Sequence, residues 1–239
     1  MARNGDFTMN SMKIDQISKN LNLNEEKMNE ILHACGIDPR DGEVSINEAV
    51  QLMEYAKAHK NDYERKAQDY LTMASGNCTM FIDTCELLHE QFPTLLERLS
   101  PLLKQNGKQL MVPSAVESEL KNLFIKHEEL REKIASVLEL LEQKEREGVI
   151  SVVGREAETF ADQQMLTIAA CSLLGDTTLF ITRDNSLSED ILSFNELGSV
   201  RGGRLVVNRI NKHGYLSRYI TAAEREAAAQ GVSQLPPAC

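Results

Sequence analysis

No apolar run in this chain approaches the ~20 residues needed to span a bilayer. The opening MARNGDFTMNSMK is polar and lacks the hydrophobic stretch of a signal peptide. Neither a membrane span nor export is expected, and a cytoplasmic location is predicted. Zinc spacing is missing as well: Cys35, Cys78, Cys85, Cys171 and Cys239 are odd in number and scattered, with no C-x-x-C pair. They read as free thiols of a reducing compartment. His33, His59, His89, His127 and His213 form no metal spacing, and neither G-x-S-x-G nor G-x-x-x-x-G-K occurs. Positive charge is also short. A net charge of -10 argues against a surface that coats nucleic acid as a whole, since such binding needs Lys and Arg to neutralise phosphates, but a local basic strip remains open.

What is present is an ordinary globular composition, with 42% hydrophobic and 26% charged residues in 239. That length exceeds the ~100 to 150 residues of a usual domain, so one full domain with a smaller module is expected. The pattern divides into an arm over residues 1–11, with Met9 and Met12 as alternative starts, a helical module over 12–60, a helical connector over 61–76, an α/β domain over 77–220, and a C-terminal helix with a loose tail over 221–239.

In the module, Ile14, Ile17 and Leu21, then Met28, Ile31 and Leu32, keep helical spacing. Asn24 caps the second helix and Gly36 ends it. A third helix runs from the cap at Ser45 to Lys60. The expectation is a small all-α module resembling helix-turn-helix domains and the helical domain at the start of bacterial translation initiation factor two. Its second helix opens NEEKMNE, and acid there suits a docking or self-association role better than a DNA groove.

Past Gly76, runs at 79–82, 108–112, 149–153, 179–182 and 204–210 read as strands alternating with helical stretches, which predicts a mainly parallel sheet flanked by helices. Ser100 with Pro101 reads as a helix start. Leu130, Ile134, Val137, Leu138 and Leu141 form one stripe within 126–147, read as packing on its own domain, with a partner-facing seam as the alternative. Gly202-Gly203 reads as a turn or bulge before a strand.

Four acids stand beside these elements: Asp83 in MFIDT, Glu119 in VPSAVESEL, Asp162 in FADQQML and Asp184 in LFITRDN. Asp83 and Asp184 each follow a strand, where ligands of parallel sheets collect. Glu119 and Asp162 fall on helices able to face the same edge. Carboxylates gathered together repel and raise one another's pKa unless a cation neutralises them. Oxygen-only ligands suit Mg²⁺ or Mn²⁺. Taken singly, each acid also reads plainly, Asp83 and Asp162 as helix caps, Asp184 as a turn residue and Glu119 as a solvated helix residue.

From about Asn77 to Arg218 the chain resembles the PIN-domain nucleases. FIDT is similar to the opening strand and first acid of that family, VPSAVESEL to its V-P segment and following helix, FADQQMLTIAA to its A-D-x-x-[IL] helix, and LFITRDN to its late strand ending in T-x-D. The resemblance implies a metal-dependent ribonuclease with Asp83, Glu119, Asp162 and Asp184 as the acidic centre and Thr182 as a supporting hydroxyl. Cys85 departs from the Asn or Ser common at that place in the family. A toxin-like role is less expected because of the extra ~70 residues, since added domains commonly serve targeting or assembly.

The second feature is a strip from Val200 to Ile220 carrying Arg201, Arg204, Arg209, Lys212 and Arg218 and no acid, with Arg183 beside Asp184. RNA, in single-stranded regions, is the expected partner, its phosphates along the strip and a base stacked on Tyr215 or Tyr219. The plainer alternative is an edge strand guarded by charge. Three functions stay open: endoribonuclease, a non-cutting RNA- or protein-binding scaffold, and a nuclease for single-stranded or flap DNA.

Overall fold

The computed structural model describes residues 11–21, 23, 25–38, 42–154, 160–197 and 203–229. Asn24, Arg201, Gly202, most of the arm and the end of the tail therefore lie outside the described residues. The chain divides into two compact units, Met1–Lys66 and Ala67–Cys239.

The first unit runs β1 (Ser11–Lys13), α1 (Ile14–Leu21), α2 (Glu25–Cys35), β2 (Glu43–Ser45) and the first part of α3 (Ile46–Asn77). It is not all-helical. β1 and β2 pair antiparallel with Met12 opposite Val44, and strands of three residues are too short to leave a period-two signal. Ile17, Met28, Ile31, Leu32, Val44 and Leu52 fill its core, so the helical spacing read above is the packing face. Gly36 sits at φ 67° and lets Ile37 donate back to the Leu32 carbonyl, closing α2. Ser45 and Glu48 form a capping box: the Glu48 amide donates to Ser45 Oγ at 3.3 Å and the Ser45 amide to Glu48 Oε2 at 2.8 Å. Lys60 ends nothing, because no Gly or Pro interrupts 46–75, and the third helix and the connector are one helix of 32 residues.

The second unit continues through β3 (Thr79–Ile82), α4 (Thr84–Leu87), α5 (Phe92–Asn106), β4 (Leu110–Pro113), α6 (Ser114–Lys126), α7 (Arg131–Arg146) and β5 (Ile150–Val153). After these come α8 (Ala161–Ser172), β6 (Thr178–Ile181), α9 (Asn185–Ser193), β7 (Leu205–Ile210), β8 (Leu216–Arg218) and α10 (Ala222–Ala229). Among the described residues the strands form one sheet ordered β5-β4-β3-β6-β7-β8, parallel except for β8, which runs against β7. Along β6, Leu179 and Ile181 belong to one core and Phe180 to another, so helices cover both faces. One core holds Leu95, Leu99, Ile134 and Leu141; the other holds Met165, Leu187 and Ile191.

Two helix readings change. Ser100 and Pro101 lie inside α5, whose N-terminal turn holds Pro93. Buried Phe92, Leu95, Leu96, Leu99 and Leu103 carry the helix across Pro101, and Ser100 Oγ donates to the Leu96 carbonyl at 2.5 Å. Continuous helical order over 126–147 is broken at His127, followed by a 3₁₀ turn at Glu128–Leu130 before α7 begins. Ile134, Val137 and Leu141 are buried in this unit's own core. β8 has no counterpart among the expected strands. The turn before it needs Gly214, at φ 70°, because a Cβ there would come within 2.6 Å of Thr94 Cγ2. No helix of the described residues is long and apolar enough to cross a membrane.

Candidate functional site at the carboxyl edge of the sheet

The strand order reverses between β3 and β6, and in open parallel sheets a crevice forms at the carboxyl ends of the strands at such a point. Asp83 follows β3 and Thr182 to Asp184 follow β6, so these residues flank that point from both sides. The Asp83 amide donates to the Ile181 carbonyl at 3.0 Å, extending the ladder to the site itself.

Asp83 is buried at 5% exposure and caps α4. Its Oδ1 accepts from the Thr84 amide at 2.7 Å, and its Oδ2 accepts from Thr182 Oγ1 at 2.8 Å and from Cys85 Sγ at 3.1 Å. Thr182 is fully buried, and its Oγ1 also accepts the Asp184 amide at 3.2 Å. Asp184 in turn caps α9, accepting from the Leu187 amide at 2.8 Å. Glu119, on the exposed side of α6, accepts from Thr84 Oγ1 at 2.6 Å. Glu119, Asp83 and Asp184 are thus joined by hydrogen bonds through Thr84 and Thr182.

Asp162 stands in the first turn of α8, with Phe160 rather than Asp162 at the cap. The first turn of α8 is pinned to the start of α6, where the Ala115 amide donates to Gln164 Oε1 at 2.8 Å and Gln164 Nε2 to Ser114 Oγ at 3.3 Å. Asp162 holds its proton more tightly than an ordinary aspartate. Partial burial is the first cause, and the negative charges of Asp83, Asp184, Glu119 and Asp190 follow. All three other predicted acids therefore act on it, and Asp190 on α9 is a fifth that sequence spacing did not reveal. Six residues from Asp184 is not a whole number of helical turns, so only the packing of α8 beside α9 brings Asp190 into range.

Among the described residues, no three His, Cys, Asp or Glu side chains stand arranged to grip a metal ion as they are. The donor set itself, carboxylate oxygens oriented by buried hydroxyls and amides, is of the kind that holds Mg²⁺ or Mn²⁺. Cys85 is a hydrogen-bonding thiol here. Burial first, then the charge of Asp83, pushes its pKa up to about 12, which disfavours the thiolate that a nucleophile needs.

The cations are spread more widely than a single strip. Arg183 is half-exposed beside Asp184, with Nη2 donating to the Ile210 carbonyl at 2.7 Å and Nε 3.5 Å from Glu86 Oε1. Arg209 lies near the carboxyl end of β7, donating to Asn185 Oδ1 at 2.6 Å, while Arg204 precedes β7 at the opposite end of the same strand. Lys212 is exposed in the turn before β8, and Arg218 on β8 pairs with Glu224 at 2.5 Å. Tyr215 and Tyr219 are not stacking platforms. Both are buried, Tyr215 beneath Arg98 and Tyr219 beneath Arg209 with its hydroxyl donated to Glu189. Among the described residues Phe160, two positions before Asp162, is an exposed aromatic, at 77%. No protein-family model, curated protein or solved structure matches the chain.

Proposed function

We propose that this protein is a divalent-metal-dependent endoribonuclease that hydrolyses RNA phosphodiester bonds at the edge carrying Asp83, Glu119, Asp162 and Asp184. The observation that carries the reading is the gathering of Glu119, Asp83 and Asp184 at one sheet edge through Thr84 and Thr182, with Asp162 near enough that their negative charges add to burial in raising its proton affinity. Such mutual repulsion is relieved by a cation.

Mg²⁺ or Mn²⁺ would be held by these four carboxylates. When bound, the metal would activate water at neutral pH and would stabilise charge developing on phosphate oxygens. The chain supplies the rest. Thr182 and Thr84 fix the carboxylates of Asp83 and Glu119 against rotation, so that little reorganisation is needed as charge accumulates. Arg183 adds positive charge beside Asp184, and Phe160 offers a face on which an unpaired base can stack.

The test is cleavage of a mixed RNA pool with and without EDTA, alongside matched DNA oligonucleotides. Cleavage that is lost in EDTA and in Asp83→Asn supports the proposal; activity unchanged by Asp83→Asn assigns it to a contaminant, and preference for DNA transfers the chemistry to the other substrate. The scaffold reading has one observation of its own: both oxygens of Asp83 already accept protein hydrogen bonds. Calorimetric titration with Mn²⁺ separates the two, because a well-folded protein that releases no heat of binding fits the scaffold.

A further inference from the structure

Glu86 has no place in the acid centre, yet it is the most enclosed carboxylate at this edge. It sits on α4, three residues past Asp83, with none of its side chain exposed. Its Oε1 accepts from the Ile210 amide at 3.3 Å and lies 3.5 Å from Arg183 Nε. Its Oε2 is buried without a hydrogen-bond partner. Burying a carboxyl so incompletely satisfied is unfavourable, and a buried ion pair by itself adds little net stability. Burial lifts the proton affinity of Glu86, while Arg183, the Ile210 amide and Arg209 oppose that rise.

The geometry of Arg183 gives the arrangement a use. Its guanidinium is held at two points, Nε towards Glu86 and Nη2 on the Ile210 carbonyl, so it lies across the carboxyl ends of β6 and β7. Its side chain is nevertheless 45% exposed, and it adjoins Asp184 in the chain. A second guanidinium, Arg209, is held by Asn185 Oδ1, on the other side of Asp184 in sequence, and its Nε is buried without a partner. Arginine used only as a solubilising surface charge needs no such support. A guanidinium fixed along one edge and open along the other is prepared to meet an anion with little further loss of side-chain freedom.

We propose that Glu86 is a positioning residue that holds Arg183 ready to contact a phosphate of the bound strand; this rests on the nucleic-acid reading of the site. Glu86 acts on RNA only through Arg183. Removing its charge should therefore reproduce the loss of Arg183 and add nothing once Arg183 is gone.

The test is fluorescence anisotropy of a labelled ten-nucleotide oligouridylate against the full chain, over a series of KCl concentrations in EDTA. Arg183→Ala is expected to weaken binding about fivefold to tenfold. It should also flatten the logarithmic salt dependence by about 0.7, the share of one phosphate contact on a single strand. Glu86→Gln, which keeps the size of the side chain, is expected to move both quantities in the same direction, and the Glu86→Gln/Arg183→Ala pair to match Arg183→Ala alone. A merely structural Glu86 would leave the salt slope at its wild-type value, and that result overturns the proposal, as does a double variant whose losses multiply. Should Glu86→Gln melt below the assay temperature, Arg183→Lys replaces it: lysine keeps the charge but cannot hold both Glu86 and Ile210, so wild-type binding by that variant is equally fatal. If the wild-type chain itself fails to bind oligouridylate at any salt, the nucleic-acid reading falls, and this inference with it.

Discussion

Replacing Thr182 with valine tests whether the acid centre is held by its buried hydroxyl. Thr182 is fully buried, donates to Asp83 Oδ2 at 2.8 Å and accepts the Asp184 amide at 3.2 Å. Valine fills the same space, so the change removes hydrogen bonds without opening a cavity. A hydrogen bond to a charged acceptor contributes about 1.5 to 3 kcal/mol, and an amide left unpaired costs about 1 kcal/mol more. The Cys85 thiol remains as a weak donor to the same oxygen at 3.1 Å, which places the expected loss at the lower end, about 2 to 3 kcal/mol. In urea, with a slope of about 2 to 3 kcal/mol/M, the unfolding midpoint should fall by about 1 M at unchanged slope. Thr182→Ser keeps the hydroxyl and loses only a methyl group, which costs about 0.5 to 1.5 kcal/mol. The reasoning is refuted if valine unfolds within about 0.5 kcal/mol of wild type, the range of an inert substitution. It is equally refuted if serine is as destabilising as valine.

Asp162→Asn should stabilise the protein in EDTA, by roughly 0.2 to 1 kcal/mol because the carboxyl is largely exposed. Asp162 is raised in the fold, so its contribution is complete below the unfolded pKa and is lost as pH rises through the folded one; the two melting curves should coincide in acid and separate towards neutrality. Excess Mn²⁺ should reverse the order, because a cation bound to the folded state alone favours the wild type, and thermal melts at several pH values read both effects. Alkylation with iodoacetamide at pH 8 should label the exposed Cys171 well before Cys85, whose thiol is pushed up to about 12; peptide mass spectrometry after timed quenching checks the order, and faster labelling of Cys85 would contradict the buried, hydrogen-bonded thiol described here.

Much of the framework is legible in the residues because it depends on local pattern. The strands around Phe81, Met111, Val152, Phe180 and Val207 follow from short apolar runs between helical stretches, and Asp83 and Asp184 follow from their places just past two of them. Ser45 and Gly36 are legible for the same reason: a cap and a left-handed terminus are chemistry of one turn. Pro101 misleads because local propensity is overruled when a helix buries a face as apolar as that of α5. β1, β2 and β8 escape notice because three residues carry no period, and their existence depends on a partner strand elsewhere in the chain.

The sequence by itself determined an α/β chain with a smaller helical part ahead of it, the acids and the hydroxyl of Thr182, and the excess of positive charge between Val200 and Ile220. Tertiary structure alone decided that β3 and β6 meet where the strand order reverses, which brings Thr182 onto Asp83 across 99 positions of chain and so joins Asp83 to Asp184. It also decided that the charge of Asp190 acts on Asp162, that Tyr215 and Tyr219 face inward, and that Glu86 is enclosed beneath Arg183. The physical reason is that burial and electrostatic range are properties of neighbours in space. A side chain has no fixed exposure, and a carboxyl no fixed proton affinity, until distant segments pack around it.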